Sequence, residues 1–145
     1  MEDSPHTDQI MAIAAFASMD ATLAQKVAEA FIACSRKERA TPGRTLMSVG
    51  DSAVQDGIIL LSGEISIAKE GSPEIIAIAP ELMGEMAQIN PARQRTATVT
   101  AHTDITLLHF TWRDFANEAG QRLTQDEFKK VSAALQDHAW RHTVE

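Results

Sequence analysis

Between about residue 45 and residue 110 the sequence alternates short β-prone runs with turn signals, and no other feature limits the possible folds as strongly. The clearest turn signals are Val49-Gly50-Asp51, Glu70-Gly71-Ser72-Pro73 and His102-Thr103-Asp104. Many short strands joined by regular turns are typical of β-rolls and barrels. We therefore expect a jelly-roll-like β-barrel over about residues 45–110.

Helical patterns precede this region. Periodicity predicts helices over about residues 8–17 and 21–36, with Asp20 as the N-cap of the second helix. The pair Pro42-Gly43 ends the helical region, whose boundaries we place at about 8–40. We assign the charged run Arg36-Lys37-Glu38-Arg39 to the solvated C-terminal end of that region.

Capping-box spacing predicts two further helices after the barrel. Thr111 with Asp114, and Thr124 with Glu127, are separated by the three positions that such a box requires. The C-terminal helices should cover about residues 111–142, the last from about 125. The expected fold is α+β, mainly β, with N-terminal helices, a jelly-roll-like β-barrel and a C-terminal helical pair in one domain, residues 1–145.

The segment from Gly84 to Val99 carries the residues best suited to binding a sugar phosphate. Gly84 permits close backbone approach, and Glu85-Met86-Ala87 can begin a short helix whose N–H groups point at an anion. Arg95 leads a β-branched run and offers a planar fork for two phosphate oxygens. Glu85 offers acceptors for a sugar hydroxyl, although the two residues taken alone also fit a simple ion pair.

The same segment resembles the phosphate-binding cassette of cyclic nucleotide-binding domains. The family pattern begins with Gly-Glu, two small or apolar residues and a variable stretch, and it ends with Arg, a small or hydroxyl residue, Ala, one variable residue and Val. This sequence matches it with Gly84-Glu85-Met86-Ala87 and Arg95-Thr96-Ala97-Thr98-Val99. The hydrophobic run 58–67, interrupted by Ser-Gly, resembles the family's first strands. The resemblance extends over about residues 10–140.

The resemblance implies a role for each residue of the site. Arg95 is expected to bind the cyclic phosphate and Glu85 the ribose 2′-hydroxyl, while the backbone of Gly84 to Ala87, Met86 included, binds the remaining phosphate oxygens. Thr96, beside Ala97, can donate a hydroxyl hydrogen bond. A threonine at this position is associated in the family with tolerance for cyclic GMP (cGMP), so the preference between cyclic AMP (cAMP) and cGMP stays open. Met83 and Ile67 are the expected apolar walls. Met83, Gln88 and Ile58 depart from residues common in the family.

The last helix has two distinct faces. Phe128, Val131, Leu135, His138 and His142 share one face by helical periodicity, and Trp140 lies on another. The resemblance implies that the Phe128 face packs on the barrel or on a second subunit, giving a homodimer. It also makes Trp140 a candidate lid over the base, the alternative being an ordinary packed aromatic residue.

Charge and composition argue against several other classes of protein. A net charge of −7 disfavours a nucleic-acid surface, which needs clustered Lys or Arg. No run of about eighteen apolar residues exists to cross a membrane, and the polar, acidic N-terminus is unlike a secretory signal, so we expect a cytoplasmic protein. Cys34, the single cysteine, falls on a helical stripe with Leu23, Val27 and Phe31 and is expected to pack as a small apolar residue.

Catalysis and metal binding find little support in the sequence. We find no Ser-His-Asp grouping, no Walker-type Gly-Lys-Ser/Thr and no clustered His motif in the β region. His138 and His142 have the spacing of two ligands on one metal, but no third ligand is evident. We expect binding without chemistry, no resident cofactor and no metal.

Three functions remain open from the sequence. The leading one is a stand-alone receptor for cAMP or cGMP that signals through its C-terminal helix to a separate effector protein, since the sequence stops at Glu145 shortly after that helix. The second is a degenerate domain that acts as a protein-interaction module or binds another anionic ligand. The third is a small-molecule enzyme on a related barrel.

Overall fold

The computed structural model describes residues 4–17, 19–47, 56–69, 71, 73–83 and 98–144. Three helices precede the β region, namely α1 (Ser4–Met11), α2 (Ala14–Ala17) and α3 (Ala21–Cys34), and two follow it, α4 (Trp112–Arg122) and α5 (Gln125–Val144). The strands are β1 (Arg36–Ala40), β2 (Thr45–Met47), β3 (Asp56–Ser62), β4 (Glu64–Ala68), β5 (Ile75–Ile78), β6 (Glu81–Met83), β7 (Thr98–Ala101) and β8 (Ile105–Thr111).

The strands form two antiparallel sheets of four strands each. The first sheet has the order β1-β8-β3-β6 and the second the order β2-β7-β4-β5. Side chains from both sheets meet in one apolar cluster between them, which we call the inter-sheet cluster: Ala40, Ile58, Leu60, Ile65, Met83, Val99, Ala101, Ile105 and Leu107. The predicted jelly-roll-like fold is confirmed, with the correction that the sheets of the described residues face each other without closing into a barrel.

The central strands of the first sheet, β3 and β8, are buried on both faces because their residues alternate between two clusters. In β3, Ile58 and Leu60 join the inter-sheet cluster, whereas Ile59 and Leu61 point to the other side. That other side is covered by a second cluster, the helical cluster, to which α1, α3, α4 and α5 all contribute. The first sheet is therefore the wall between the helices and the space between the sheets.

Aromatic rings form the centre of the helical cluster. Phe31 of α3 stacks on Phe115 of α4 with ring centroids 4.0 Å apart. Phe110 of β8 meets the edge of Phe31 at 5.0 Å, and Trp112 at the start of α4 meets Phe110 at 5.0 Å. The indole Nε1 of Trp112 is buried and has no hydrogen-bond partner within the part of the chain that the structure describes. These contacts join α4 to both α3 and β8.

Each predicted helix start with a cap is confirmed. The Asp20 carboxylate accepts hydrogen bonds from the backbone N–H groups of Thr22 at 3.1 Å and Leu23 at 3.3 Å. The Thr111 hydroxyl accepts from Asp114 N–H at 3.1 Å. At α5 the capping box is reciprocal, with bonds between Thr124 and Glu127.

The boundary between helices and strands differs from the prediction. The run Arg36-Lys37-Glu38-Arg39, placed at the end of the helical region, lies in β1 and pairs with β8 from His109 to Thr106. Helix α3 ends at Cys34, because Ser35 adopts an extended conformation and its hydroxyl donates to the Phe31 carbonyl oxygen. Pairing with β8 outweighs the weak strand pattern of a charged run.

Cys34 packs as predicted. Leu23, Val27 and Phe31 are buried on the same stripe of α3, and Cys34 lies half-buried against the helical cluster. Burial raises the pKa of its thiol to about 11, with only a partial opposing effect from a hydrogen bond with Ser35. The thiol is therefore neutral at physiological pH and a poor nucleophile.

Candidate functional site

Most of the predicted binding residues lie outside the described residues. Residues 84–97, which hold seven of the positions named from the sequence, fall between the described ranges. These seven are Gly84, Glu85, Met86, Ala87, Arg95, Thr96 and Ala97. Their assigned roles stay predictions, and the structure contributes the strands on either side of them.

The strands on either side of residues 84–97 belong to opposed sheets. Strand β6 ends at Met83, whose cross-strand partner in β3 is Ile58. Strand β7 begins at Thr98, whose partner in β4 is Ala68. The first of these pairs lies in the first sheet and the second lies in the other. Both ends of the predicted binding segment are thus attached to regular, paired backbone at the border of the inter-sheet space.

The two predicted apolar walls share one cluster. Met83 is buried inside the inter-sheet cluster, while Ile67 is partly buried and packs against the same cluster. In β4, Ile67 lies between its cross-strand partners Val99 and Ile75. Of the two walls, Ile67 has the side-chain surface that a ligand can still contact. Met83 instead fixes the last residue before Gly84 in the core.

A polar cluster, which sequence reasoning missed, lies on the inner face of the first sheet. His109 Nδ1 lies 3.3 Å from a Glu38 carboxylate oxygen, and its Nε2 lies 3.5 Å from a carboxylate oxygen of Asp56. Arg36 lies 3.2 Å from His109 Nδ1. By strand alternation these residues share a face with Ile58, which lies between His109 and Met83 in the register. They come from three strands, so no local sequence signal links them.

This polar cluster does not have the geometry of a metal site. The two ring nitrogens of His109 approach different carboxylates, Glu38 on one side and Asp56 on the other, so they do not converge on one point. Across the described ranges, His, Cys, Asp and Glu side chains do not gather in groups of three that could hold a metal ion. The side chains of His138 and His142 lie outside the described part of the chain.

The C-terminal helix uses its apolar face within its own chain. Val131 is buried in the helical cluster, and Phe128 and Leu135 pack against it. The cluster that this face joins contains both helix residues and strand residues such as Ile59 and Phe110, so the described part of the face packs within its own chain, and the homodimer stays a prediction. Trp140 lies within α5, but its side chain is outside the described residues, so its role as a lid stays a prediction.

Two ion pairs hold α3 to the C-terminal helices. Lys26 Nζ lies 3.1 Å from a carboxylate oxygen of Glu127, at the start of α5. Arg122, at the end of α4, lies 3.6 Å from Glu29. A hydrogen bond from the Thr124 backbone N–H and the Lys26 ammonium together lower the pKa of Glu127. The junction of α4 and α5 is therefore attached to α3 on two sides.

The sequence matches the family model of the cyclic nucleotide-binding domain over residues 37–122, which is more than half of the chain. The chain belongs to the cyclic nucleotide-binding domain family. The match includes β1 without its first residue, β2 to β8, α4 and the whole of residues 84–97. Membership of this family supports a cyclic nucleotide as the ligand of this chain.

Solved structures share the fold of this cyclic nucleotide-binding domain. The catabolite activator protein of Thermus thermophilus superimposes with a TM-score of 0.65 at 19% identity, over 89% of this chain and 57% of that one. The CBD2 domain of PKAR, bound to Sp-2Cl-cAMPS, also gives a TM-score of 0.65 at 19% identity, over 90% of this chain and 89% of that one. At this identity the likeness establishes the fold alone.

A curated relative comes from Xanthomonas perforans. The domain is 25% identical over 111 residues to a Pycsar effector protein of that organism, covering 77% of this chain. The match covers 36% of the effector, so the chain spans about a third of the length of that relative.

No helix among the described residues is long and apolar enough to cross a membrane.

Proposed function

We propose that this protein is a receptor that binds cAMP or cGMP through residues 84–97 and performs no chemistry on it. The observation that carries the proposal is the family match, which runs through that segment from β1 to α4. The strands at its two ends support it, because they start and finish the segment on opposed sheets beside one apolar cluster. A binding segment whose two ends are held in paired strands loses less conformational entropy on binding than a segment with free ends.

In this proposal each residue of the segment has a separate task. Arg95 pairs with the cyclic phosphate, for which its planar fork is suited, and Glu85 accepts from the ribose 2′-hydroxyl. Backbone N–H groups from Gly84 to Ala87 and the Thr96 hydroxyl complete the polar contacts. Ile67 offers an apolar surface to the ligand, with Met83 behind it in the core. Trp140 is the proposed lid over the base.

We further propose that the signal leaves through the C-terminal helices to a separate effector protein in the cytoplasm. Helix α4 contacts β8 and α3 through Phe110, Phe31 and Phe115, so a shift of the first sheet reaches α4 by direct packing. Helix α5 is attached at Glu127 and extends to Val144. The curated relative, described as an effector protein, supports a role in signalling.

Calorimetric titration with cyclic nucleotides tests the binding proposal. Nucleotide-stripped protein is titrated with cAMP, cGMP and their cytidine and uridine counterparts. An Arg95→Leu variant should bind the preferred nucleotide roughly ten- to hundredfold more weakly, because it loses a charge-assisted contact of about 1.5–3 kcal/mol. Arg93→Leu is the matched control, since it removes the same charge two positions away and lies outside the family pattern.

Two outcomes would contradict the proposal. Folded wild-type protein that binds none of these nucleotides would favour the alternative, a degenerate domain that contacts proteins or another anionic ligand. Equal weakening by Arg93→Leu and Arg95→Leu would show a general charge effect in place of a specific phosphate contact. Circular dichroism of both variants establishes that they are folded.

A further inference from the structure

Among the described strands, β5 is an apolar edge strand that has no neighbour on its outer side. It ends the second sheet and pairs with β4 alone. Its isoleucines are the large hydrophobic side chains that the described residues leave exposed: Ile75 at 42%, Ile76 at 40% and Ile78 at 67%. The apolar face of α5, by contrast, is packed on its own chain. Among the described elements, β5 is therefore the apolar surface available to another molecule.

The backbone groups of Ile76 and Ile78 point away from the sheet. In an antiparallel pair, alternate residues face the neighbouring strand and the outer side. The Ala79 N–H donates to the Gly63 carbonyl oxygen at 3.1 Å, and the Glu64 carbonyl oxygen accepts from His102 N–H on the opposite side, toward β7. The backbone N–H and C=O groups of Glu64 thus point toward β7, and those of its cross-strand partner Ile78 point away from the sheet. Two residues earlier, those of Ile76 do the same.

The outer edge of β1 differs sharply from that of β5. Strand β1 ends the first sheet, and four of its five residues are charged, Arg36, Lys37, Glu38 and Arg39. Charged residues on an edge strand discourage pairing with another chain. Strand β5 has no charged residue, and its flanking residue Glu74 lies just outside it. Of these two edge strands, β1 is protected from strand pairing by its charges and β5 is open to it.

We propose that β5 pairs with β5 of a second copy of this chain across a two-fold axis at Ala77. The sequence around this position is symmetric, Ile76-Ala77-Ile78, so antiparallel pairing about Ala77 sets Ile76 opposite Ile78 of the second copy. These are the two residues whose N–H and C=O groups face outward, so the register gives about four main-chain hydrogen bonds.

Charge and size are consistent with a weak dimer of this geometry. In this register Glu74 lies opposite Pro80 of the second copy, so no carboxylate of β5 or its flanks meets its own counterpart. The side chains of Ile76 and Ile78 stack on those of the second copy on one face. A four-residue strand buries far less than the roughly 800 Å² per partner of a standard interface, so association is concentration-dependent.

Sedimentation velocity of the whole chain over a range of concentrations, without nucleotide, tests this proposal. Wild-type protein should shift toward dimer as the concentration rises to about 1 mM. Ile76→Lys should weaken the dimer at least about tenfold, since it replaces an isoleucine that stacks on Ile78 of the second copy by a charged side chain. Ile75→Lys is the matched control because Ile75 has nearly the same exposure, 42% against 40%, but its side chain points to the opposite face.

Backbone pairing is tested separately from general apolar contact. Ile76→Pro removes an outward N–H while leaving the bonds to β4 intact, and should also abolish the dimer. By NMR, the Ile76 and Ile78 amides should exchange more slowly with solvent as the concentration of wild-type protein rises. A protein that stays monomeric to about 1 mM, or a dimer that survives in the folded Ile76→Lys and Ile76→Pro variants, would overturn the proposal. Neither result depends on whether the protein binds a nucleotide.

Discussion

At the scale of single residues, Gly63 shows how one missing side chain fixes the join between the two sheets. It connects β3 to β4 with a φ of +94°, and a Cβ there would overlap the backbone oxygen of Asp104 and approach Ile105. Gly71 also has a positive φ, +76°, but its surroundings are open. A side chain at position 71 would therefore cause backbone strain alone, whereas a side chain at position 63 would cause both backbone strain and steric crowding.

Alanine substitution of these glycines should have unequal costs. Gly71→Ala is expected to lower the free energy of unfolding by about 1–2 kcal/mol, from backbone strain alone. Gly63→Ala adds overpacking against backbone that cannot move aside easily, so its cost should be about 3 kcal/mol or more. Urea denaturation of both variants measures this difference. Equal costs would mean that the Asp104 backbone moves freely.

The Cys34 thiol predicts how stability depends on alkaline pH. Burial raises the pKa of the folded-state thiol from 9.0 to about 11. Above pH 9 the unfolded chain loses a proton that the folded protein keeps, so this contribution is complete below pH 9 and is lost as the pH rises to about 11.

Wild-type protein should therefore lose more stability between pH 9 and pH 11 than a Cys34→Ser variant. The free energy of unfolding, measured by urea titration at several pH values, gives the comparison. The serine variant retains the lysine and arginine titrations common to both proteins, so the difference reports the thiol. Parallel pH profiles would show that the thiol ionises equally in both states.

At the scale of elements, the start of α5 combines a helix cap with an attachment to α3. The Glu127 carboxylate accepts from the Thr124 N–H at 2.9 Å and lies 3.1 Å from Lys26 Nζ. Its pKa is lowered first by the backbone hydrogen bond and then by Lys26. The stability that it supplies is therefore present above its usual value of 4.5 and is lost as the pH falls below it.

A double-mutant cycle of Lys26→Met with Glu127→Gln should reveal favourable coupling at pH 7. The coupling should exceed that of Arg122→Met with Glu29→Gln, whose N–O distance is longer, 3.6 Å, and whose glutamate is more exposed. Both cycles use thermal or urea unfolding. Coupling that is the same at pH 3 as at pH 7 would contradict a charge-dependent attachment.

Helix starts with local caps could be predicted from the sequence, whereas strands that depend on a distant partner strand were harder to predict. Caps at Asp20 and Thr124 depend on groups three or fewer positions away, which a sequence pattern contains. Strand β1 depends on β8, and its Arg36 meets His109 across 73 positions. A charged run has no apolar alternation to indicate a strand, so the prediction continued the preceding helix through it.

At the scale of the whole molecule, the family resemblance predicted the jelly-roll-like fold and two apolar walls of the site. The predicted walls Met83 and Ile67 do meet in one cluster, since both face the space between the sheets. The grouping of His109 with Glu38 and Asp56 could not be predicted from the sequence, because it depends on the register of three strands. Nor could the exposed edge of β5, because an apolar run in a sequence does not reveal which strand ends a sheet.

The double-sided burial of β3 has an evolutionary consequence. Ile59 and Leu61 pack against the helices, and Ile58 and Leu60 pack against the opposite sheet. Neighbouring positions in the strand are thus inherited under different constraints. Change at position 59 should be compensated on α3 or α4, and change at position 58 near Met83 or Ile65. Insertion of a single residue into β3 would move the following side chains to the opposite face of the sheet. Residues that evolved to pack against the helices would then face the other sheet, and the reverse.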